Sequence, residues 1–167
     1  MGQYPLGENF RNFPPSAQNL DKTCDILIEK GKIVAIGKGL DDKGAKVIDA
    51  AGKIVTPGLV DIHVHLRDPG LEYKEDIASG TLSAVTGGFT SVACMPNTQP
   101  SIDSASTVAL IQEKARTAVI RIEVSGAMSK GIQGEELASI GSLAKAGVVA
   151  LTDDGHCKNC GTQCPGV

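Results

Sequence analysis

Two histidines one residue apart carry the clearest chemical signal in this sequence. They are His63 and His65 in the run Asp61-Ile62-His63-Val64-His65-Leu66-Arg67-Asp68-Pro69-Gly70. The chain has three His, and two of them form this pair. The apolar residues of LVDIHVHL predict a strand over 59–66, on which residues two apart point to the same side. Both imidazoles then stand near the strand's C-terminal end, their roots about 6–7 Å apart. From there two neutral imidazoles can converge on one metal ion. Taken alone, a His-x-His pair also fits a structural role.

Other polar residues fall in matching places. Asn97, in Met95-Pro96-Asn97-Thr98, follows the next predicted strand, and Asp153-Asp154-Gly155 follows the fourth. In α/β folds ligands gather at the C-terminal ends of parallel strands, so the three clusters make one candidate site. Locally, each of the last two also reads as a plain turn.

The elements that must position these residues show in the patterning. Residues 1–23 have no clear period and predict an irregular lead-in. CDILIEKGKIVAIG alternates around Lys30-Gly31, a hairpin signal, and KVIDAAGKIVTPG repeats it around Gly52. Residues 24–56 therefore predict a few antiparallel strands. After Pro57 the pattern becomes strand 59–66, helix 73–86, strand 89–95, helix 104–118, strand 119–126, helix 135–146 and strand 147–152. Glu75 and Asp76 are expected in the first turn of the first helix, and Gly87-Gly88 at its end. Such alternation implies parallel strands with right-handed crossovers, in an open sheet or in part of a (β/α)₈ barrel.

Composition agrees with an α/β fold and excludes other classes. Of 167 residues, 41% are hydrophobic and 21% charged, with net charge −3, 20 Gly, two Tyr, three Phe and no Trp. Burial must come from small aliphatic side chains packed closely. No basic face is expected, which argues against a nucleic-acid partner. No apolar run approaches the roughly 20 residues of a membrane helix, and the N-terminus is unlike an export signal. Five scattered Cys do not make a disulfide framework, so the expected location is cytoplasmic.

PGLVDIHVHLRDPG (57–70), MPNT (95–98) and TDDG (152–155) resemble the dihydroorotases of the amidohydrolase superfamily, of the stand-alone bacterial type. IEKGKIVAIG and VIDAAGKIVTPG are similar to that superfamily's N-terminal β-sandwich. The resemblance runs from about Asp21 to Cys157. It implies the N-terminal part of a (β/α)₈ TIM-like barrel, about four strands, preceded by part of a small β-sandwich. The chain then divides into a lead-in at 1–23, a partial sandwich at 24–56, the first half of a barrel at 57–155 and a Cys-containing tail at 156–167. The resemblance also implies that His63, His65 and Asp154 bind one or two Zn²⁺ ions, and that Arg67 and Asn97 hold a substrate carboxylate. Arg suits that task because its planar fork grips carboxylates in bidentate fashion. The implied reaction is the reversible conversion of N-carbamoyl-L-aspartate to L-dihydroorotate plus water, in pyrimidine synthesis. Implied partners are that small molecule, aspartate carbamoyltransferase and further copies of the chain. Hydantoinases and allantoinases are the nearest alternatives, and a non-catalytic partner of the carbamoyltransferase is another. Arg67 discriminates against the other cyclic amidohydrolases.

The sequence also departs from that pattern. A full barrel needs about 250 residues, and about 110 follow Pro57. The later His ligands and the acid/base Asp of the family have no counterpart here, so these residues alone are expected to be inactive. The first sandwich strand is expected to be replaced by MGQYPLGENFRNFPP, and CKNCGTQCPGV is unlike the family; a shifted reading frame or a cut gene would account for such ends. His156, Cys157, Cys160 and Cys164 offer a rival zinc site, though an unstructured terminus explains them as well. Cys24 and Cys94 are expected to be core residues.

Overall fold

A computed structural model describes residues 4–6, 11–12, 22–42 and 44–156. The chain divides between Pro57 and Gly58 into two compact units. In the first, strands β1 (Tyr4–Leu6), β3 (Asp25–Glu29) and β4 (Lys32–Gly37) form an antiparallel sheet in the order β1-β3-β4. The expected hairpin around Lys30-Gly31 is β3–β4. Strands β2 (Arg11–Asn12) and β5 (Ile54–Val55) pair in parallel.

Two expectations for this unit are corrected. The stretch 1–23 is not wholly irregular, since β1 and β2 lie within it, and β1 stands where a sandwich strand was expected to be missing. Pro5 obscures β1 in the sequence, yet Pro is tolerated on an edge strand, where its missing N–H costs no ladder bond. The second hairpin, around Gly52, does not form among the described residues: Lys53 N–H turns back to Ala50 O at 2.9 Å, and β5 takes β2 as its neighbour.

The second unit is a curled parallel sheet, half of a barrel, in the order β6-β7-β8-β9. Its strands are β6 (Leu59–Val64), β7 (Phe89–Cys94), β8 (Arg121–Gly126) and β9 (Ala150–Leu151). Helices α1 (Ile77–Thr86), α2 (Ala105–Ala115) and α3 (Ile140–Ala146) connect them. Val92, Cys94 and Val124 of the strands meet Ile77, Val108, Ile111 and Leu143 of the helices in one buried cluster. A fully buried aliphatic side chain of this size contributes about 1.5–3 kcal/mol. On the edge strand β6, Val60 and Ile62 stay 62% and 76% exposed.

The helices are shorter than their apolar periods predict, for local reasons. Asp76 is the N-cap of α1, outside its first turn: its carboxylate accepts from Ser79 N–H at 2.7 Å, and the Ser79 hydroxyl faces Asp76 N–H in return. That bond to the Ser79 N–H holds the Asp76 carboxyl below its ordinary range. Ser104 caps α2 in one direction, its hydroxyl accepting from Thr107 N–H. Residues 135–139 are not helical: Leu137 bridges to Ser129, and α3 begins only at Ile140. Strand pairing there removes the turn that the Leu137 spacing suggested.

Candidate metal centre

Strand β6 ends at Val64, one residue before His65. Its pairing with β7 is irregular between Asp61 and Val64, and the Asp61 carboxylate accepts from His63 N–H at 3.0 Å. Asp61 therefore satisfies a backbone donor that the ladder leaves free. Pairing resumes with Met95 N–H on Val64 O at 2.9 Å. The two imidazoles lie edge to face with centroids 5.3 Å apart. The strand is shorter than expected, yet both rings reach the same place.

Asp154 arrives from beyond β9. Its carboxylate Oδ1 is 3.0 Å from His63 Nε2, and its Oδ2 is 3.9 Å from His65 Nδ1. Asn97, after β7, places Oδ1 2.9 Å from His65 Nδ1 and donates from Nδ2 to Asp154 Oδ2 at 2.6 Å. Four residues from three strand ends thus meet. The His63 side chain is 58% exposed and that of Asp154 9%, so the cluster opens to solvent on the His63 side.

The adjacent Asp153 faces the other way and is buried. It accepts from Met128 N–H at 2.9 Å, Ser129 N–H at 3.0 Å and the Ser129 hydroxyl at 2.6 Å. That anchorage fixes the turn from which Asp154 projects at φ 49°.

Ligand atoms of His63, His65 and Asp154 lie within 4.8 Å of one another. Tetrahedral zinc with bonds of about 2.0–2.1 Å needs donors about 3.3 Å apart, so these atoms would draw closer around an ion. Two imidazoles and a carboxylate with an open side fit such an ion.

Arg67 follows the pair at φ 62°, half-buried, with no ion-pair partner among the described residues. The loop after it is held by groups that the sequence did not single out. Lys114, in the last turn of α2, binds both Asp68 and Glu72, the latter at 3.2 Å. Gln99 N–H donates to Pro69 O at 2.9 Å, which joins this loop to the one carrying Asn97. Lys114 gave no signal because it reads as an ordinary exposed helix residue, and its partners lie 46 and 42 positions away. Leu71, Asn97, Gln99, Gln133 and His156 line an open pocket of about 440 Å³ beside the cluster. His156 is outside the cluster of ligand atoms, and its proposed partners Cys157, Cys160 and Cys164 lie outside the described residues.

Residues 52–161 match the family described as dihydro-orotase-like. The chain belongs to that family. Dihydroorotase-like relatives include the dihydroorotase of Ruminiclostridium cellulolyticum, 57% identical over 138 residues, which cover 82% of this chain and 32% of the relative. The dihydroorotase of Geotalea daltonii is 54% identical over 142 residues, covering 84% and 33%. The chain therefore spans about a third of the length of the curated relatives it matches. Among solved structures, L-hydantoinase (dihydropyrimidinase) from Arthrobacter aurescens superposes with TM-score 0.76 at 26% identity, over 90% of this chain and 32% of that one. The fold is thus that of the amidohydrolase barrels, and the hydantoinases are the more distant relation of this dihydroorotase-like chain. Among the described residues no helix is long and apolar enough to cross a membrane.

Proposed function

We propose that this chain carries the first part of a zinc-dependent dihydroorotase, which interconverts N-carbamoyl-L-aspartate and L-dihydroorotate. The observation behind this reading is the convergence of His63, His65 and Asp154 at the C-terminal ends of a dihydroorotase-like half-barrel. These three residues would hold the metal, which supplies Lewis acidity toward a carbonyl oxygen of the substrate. Arg67 and Asn97 bind the substrate carboxylate in this reading. Arg67 offers its planar fork. Asn97 offers the second hydrogen of Nδ2, which its bond to Asp154 leaves over. The pocket beside Asn97 receives the remainder of the ring.

The acid/base group is not among these residues in this reading, so the 167 residues alone bind metal without turnover. Pyrimidine synthesis, a cytoplasmic location and a partnership with aspartate carbamoyltransferase belong to the same proposal. A chimera tests it: residues 58–156 replace the matching stretch of the Geotalea daltonii dihydroorotase. The expected result is hydrolysis of L-dihydroorotate that requires zinc and falls steeply with Arg67→Met. Turnover of hydantoin, with none of dihydroorotate, would sink the proposal.

A further inference from the structure

We propose that Asn97 is a positioning residue of the metal centre, holding His65 in one tautomer and Asp154 in one orientation. This role rests on the metal-site reading above. Asp154 Oδ2 lies 2.6 Å from one end of the Asn97 amide, and a carboxylate oxygen only accepts, so that end is the NH₂ group. The other end is then the carbonyl oxygen, 2.9 Å from His65 Nδ1. A carbonyl only accepts, so Nδ1 of His65 carries the hydrogen. A neutral imidazole has one N–H, and the lone pair is thereby placed on Nε2, ready for a metal ion.

The orientation is enforced from below. Pro96 and Met95 are buried, Met95 N–H is bound to β6 through Val64 O, and Pro96 O accepts from Ile102 N–H at 3.1 Å. Asn97 thus stands on a fixed segment and links ligands 32 positions before and 57 positions after it in the chain. At 3.9 Å, His65 Nδ1 and Asp154 Oδ2 are too far apart to align each other directly, and the amide bridges that gap. Asn97 keeps one Nδ2 hydrogen and one oxygen lone pair for substrate, so the two roles coexist.

Loss of such an outer partner lowers metal affinity about 10–100-fold. The test titrates the full chain with Co²⁺, and with Zn²⁺ in competition with a chromophoric chelator, at fixed pH. Asn97→Leu is expected to weaken both ions by that factor and to change the shape of the visible Co²⁺ bands at saturation. Asn97→Asp keeps an acceptor for His65 Nδ1 but loses the donor to Asp154 and sets a second carboxylate beside it, so it is expected to leave the bands altered. Thr98→Val, whose hydroxyl serves only Pro100 O, is expected to change neither reading. Far-UV circular dichroism reports folding, and Asn97→Ser, too short to bridge both ligands, replaces Asn97→Leu if that variant unfolds. Wild-type binding with unchanged affinity and bands in Asn97→Leu would overturn the positioning role alone. An equal loss in Thr98→Val with unchanged bands would overturn it too. A wild type that binds neither ion would overturn the metal centre itself, and this role with it.

Discussion

The Asp153 carboxylate closes on Ser129, accepting its backbone N–H at 3.0 Å and its hydroxyl at 2.6 Å. The Ser129 hydroxyl also accepts from Gly134 N–H at 2.8 Å, so one buried acid organises the loop after β8 and ties it to the end of β9. Asp154 makes none of these bonds. The pair therefore predicts a split. Asp153→Ala leaves buried donors unmatched and is expected to cost about 2–4 kcal/mol, since bonds to a charged group are worth about 1.5–3 kcal/mol each and are not additive. Asp154→Ala loses the single bond from Asn97 Nδ2 and its neighbour His63, and is expected to cost less, about 1–2 kcal/mol, and to abolish metal binding. Urea unfolding and equilibrium dialysis with zinc check the two halves. Equal destabilisation by both substitutions would refute the division.

The clamp on the loop after Arg67 predicts a pH dependence. Glu72 is held down to about 2 from its ordinary 4.5, first by the Gly70 N–H, then by its own backbone and by Lys114. Lys114 is raised above its ordinary 10.5, first by Asp68 and then by Glu72. A depressed acid stabilises the fold above its unfolded value, and that contribution fades as pH falls through 4.5 toward 2. A raised base stabilises below its unfolded value, and that contribution fades as pH climbs past 10.5. The clamp is thus fully formed from about pH 5 to 10. Glu72→Gln is expected to flatten the acid limb of the thermal-stability profile and to weaken the alkaline one less, because Asp68 remains the main partner of Lys114. Lys114→Met is expected to flatten the alkaline limb and only a small part of the acid one, because the backbone bonds to Glu72 remain. Glu72 is exposed, so the effect is expected to shrink in 0.5 M NaCl.

The site's main parts were legible because they lie in short runs with a fixed relation to the strands. His63 and His65 are two apart, and Asn97 and Asp154 each follow a strand directly. The register of a parallel sheet then brings such positions together without further information. Lys114 and Asp68 follow no such rule, since their contact depends on where α2 packs over the loop. Helix bounds depart from the apolar period where other groups compete with the helix for backbone partners: Asp76 takes a capping position, and the Leu137 segment takes a strand bridge. Strand β1 was hidden because a Pro-containing triplet carries no alternation to read, and only its neighbour β3 makes it a strand.

Cys94 separates burial from reactivity. Burial against the sheet and helices pushes its thiol up to about 11. A thiol with so little thiolate and almost no exposure is a poor nucleophile. At pH 8 the native chain is expected to leave Cys94 unlabelled by iodoacetamide, with labelling appearing in urea at the global unfolding midpoint. Peptide mass mapping distinguishes it from the other four cysteines. Labelling of Cys94 below that midpoint would show that the β7–β8 core opens locally.

Gly70 allows a test of how closely the loop after Arg67 must approach the segment that carries Asn97. Its φ is +90°, and a Cβ there would stand 1.8 Å from Gln99 O. Gly88 has nearly the same conformation, φ +86°, with nothing within 4 Å of its Cβ position. Both alanine substitutions pay for an unfavourable backbone, at about 1 kcal/mol. Only Gly70→Ala must also push the loop at 67–72 away from the segment 97–100, breaking the bond from Gln99 N–H to Pro69 O. The expected outcome is that Gly70→Ala destabilises the chain by about 1–2 kcal/mol more than Gly88→Ala. It is also expected to weaken metal binding, because Asn97 moves with its loop, whereas Gly88→Ala leaves metal affinity alone. Differential scanning calorimetry and zinc titration of the two variants side by side decide it. Matching losses of stability in both would mean that the loops yield freely and that the packing of Gly70 on Gln99 does not hold the site together.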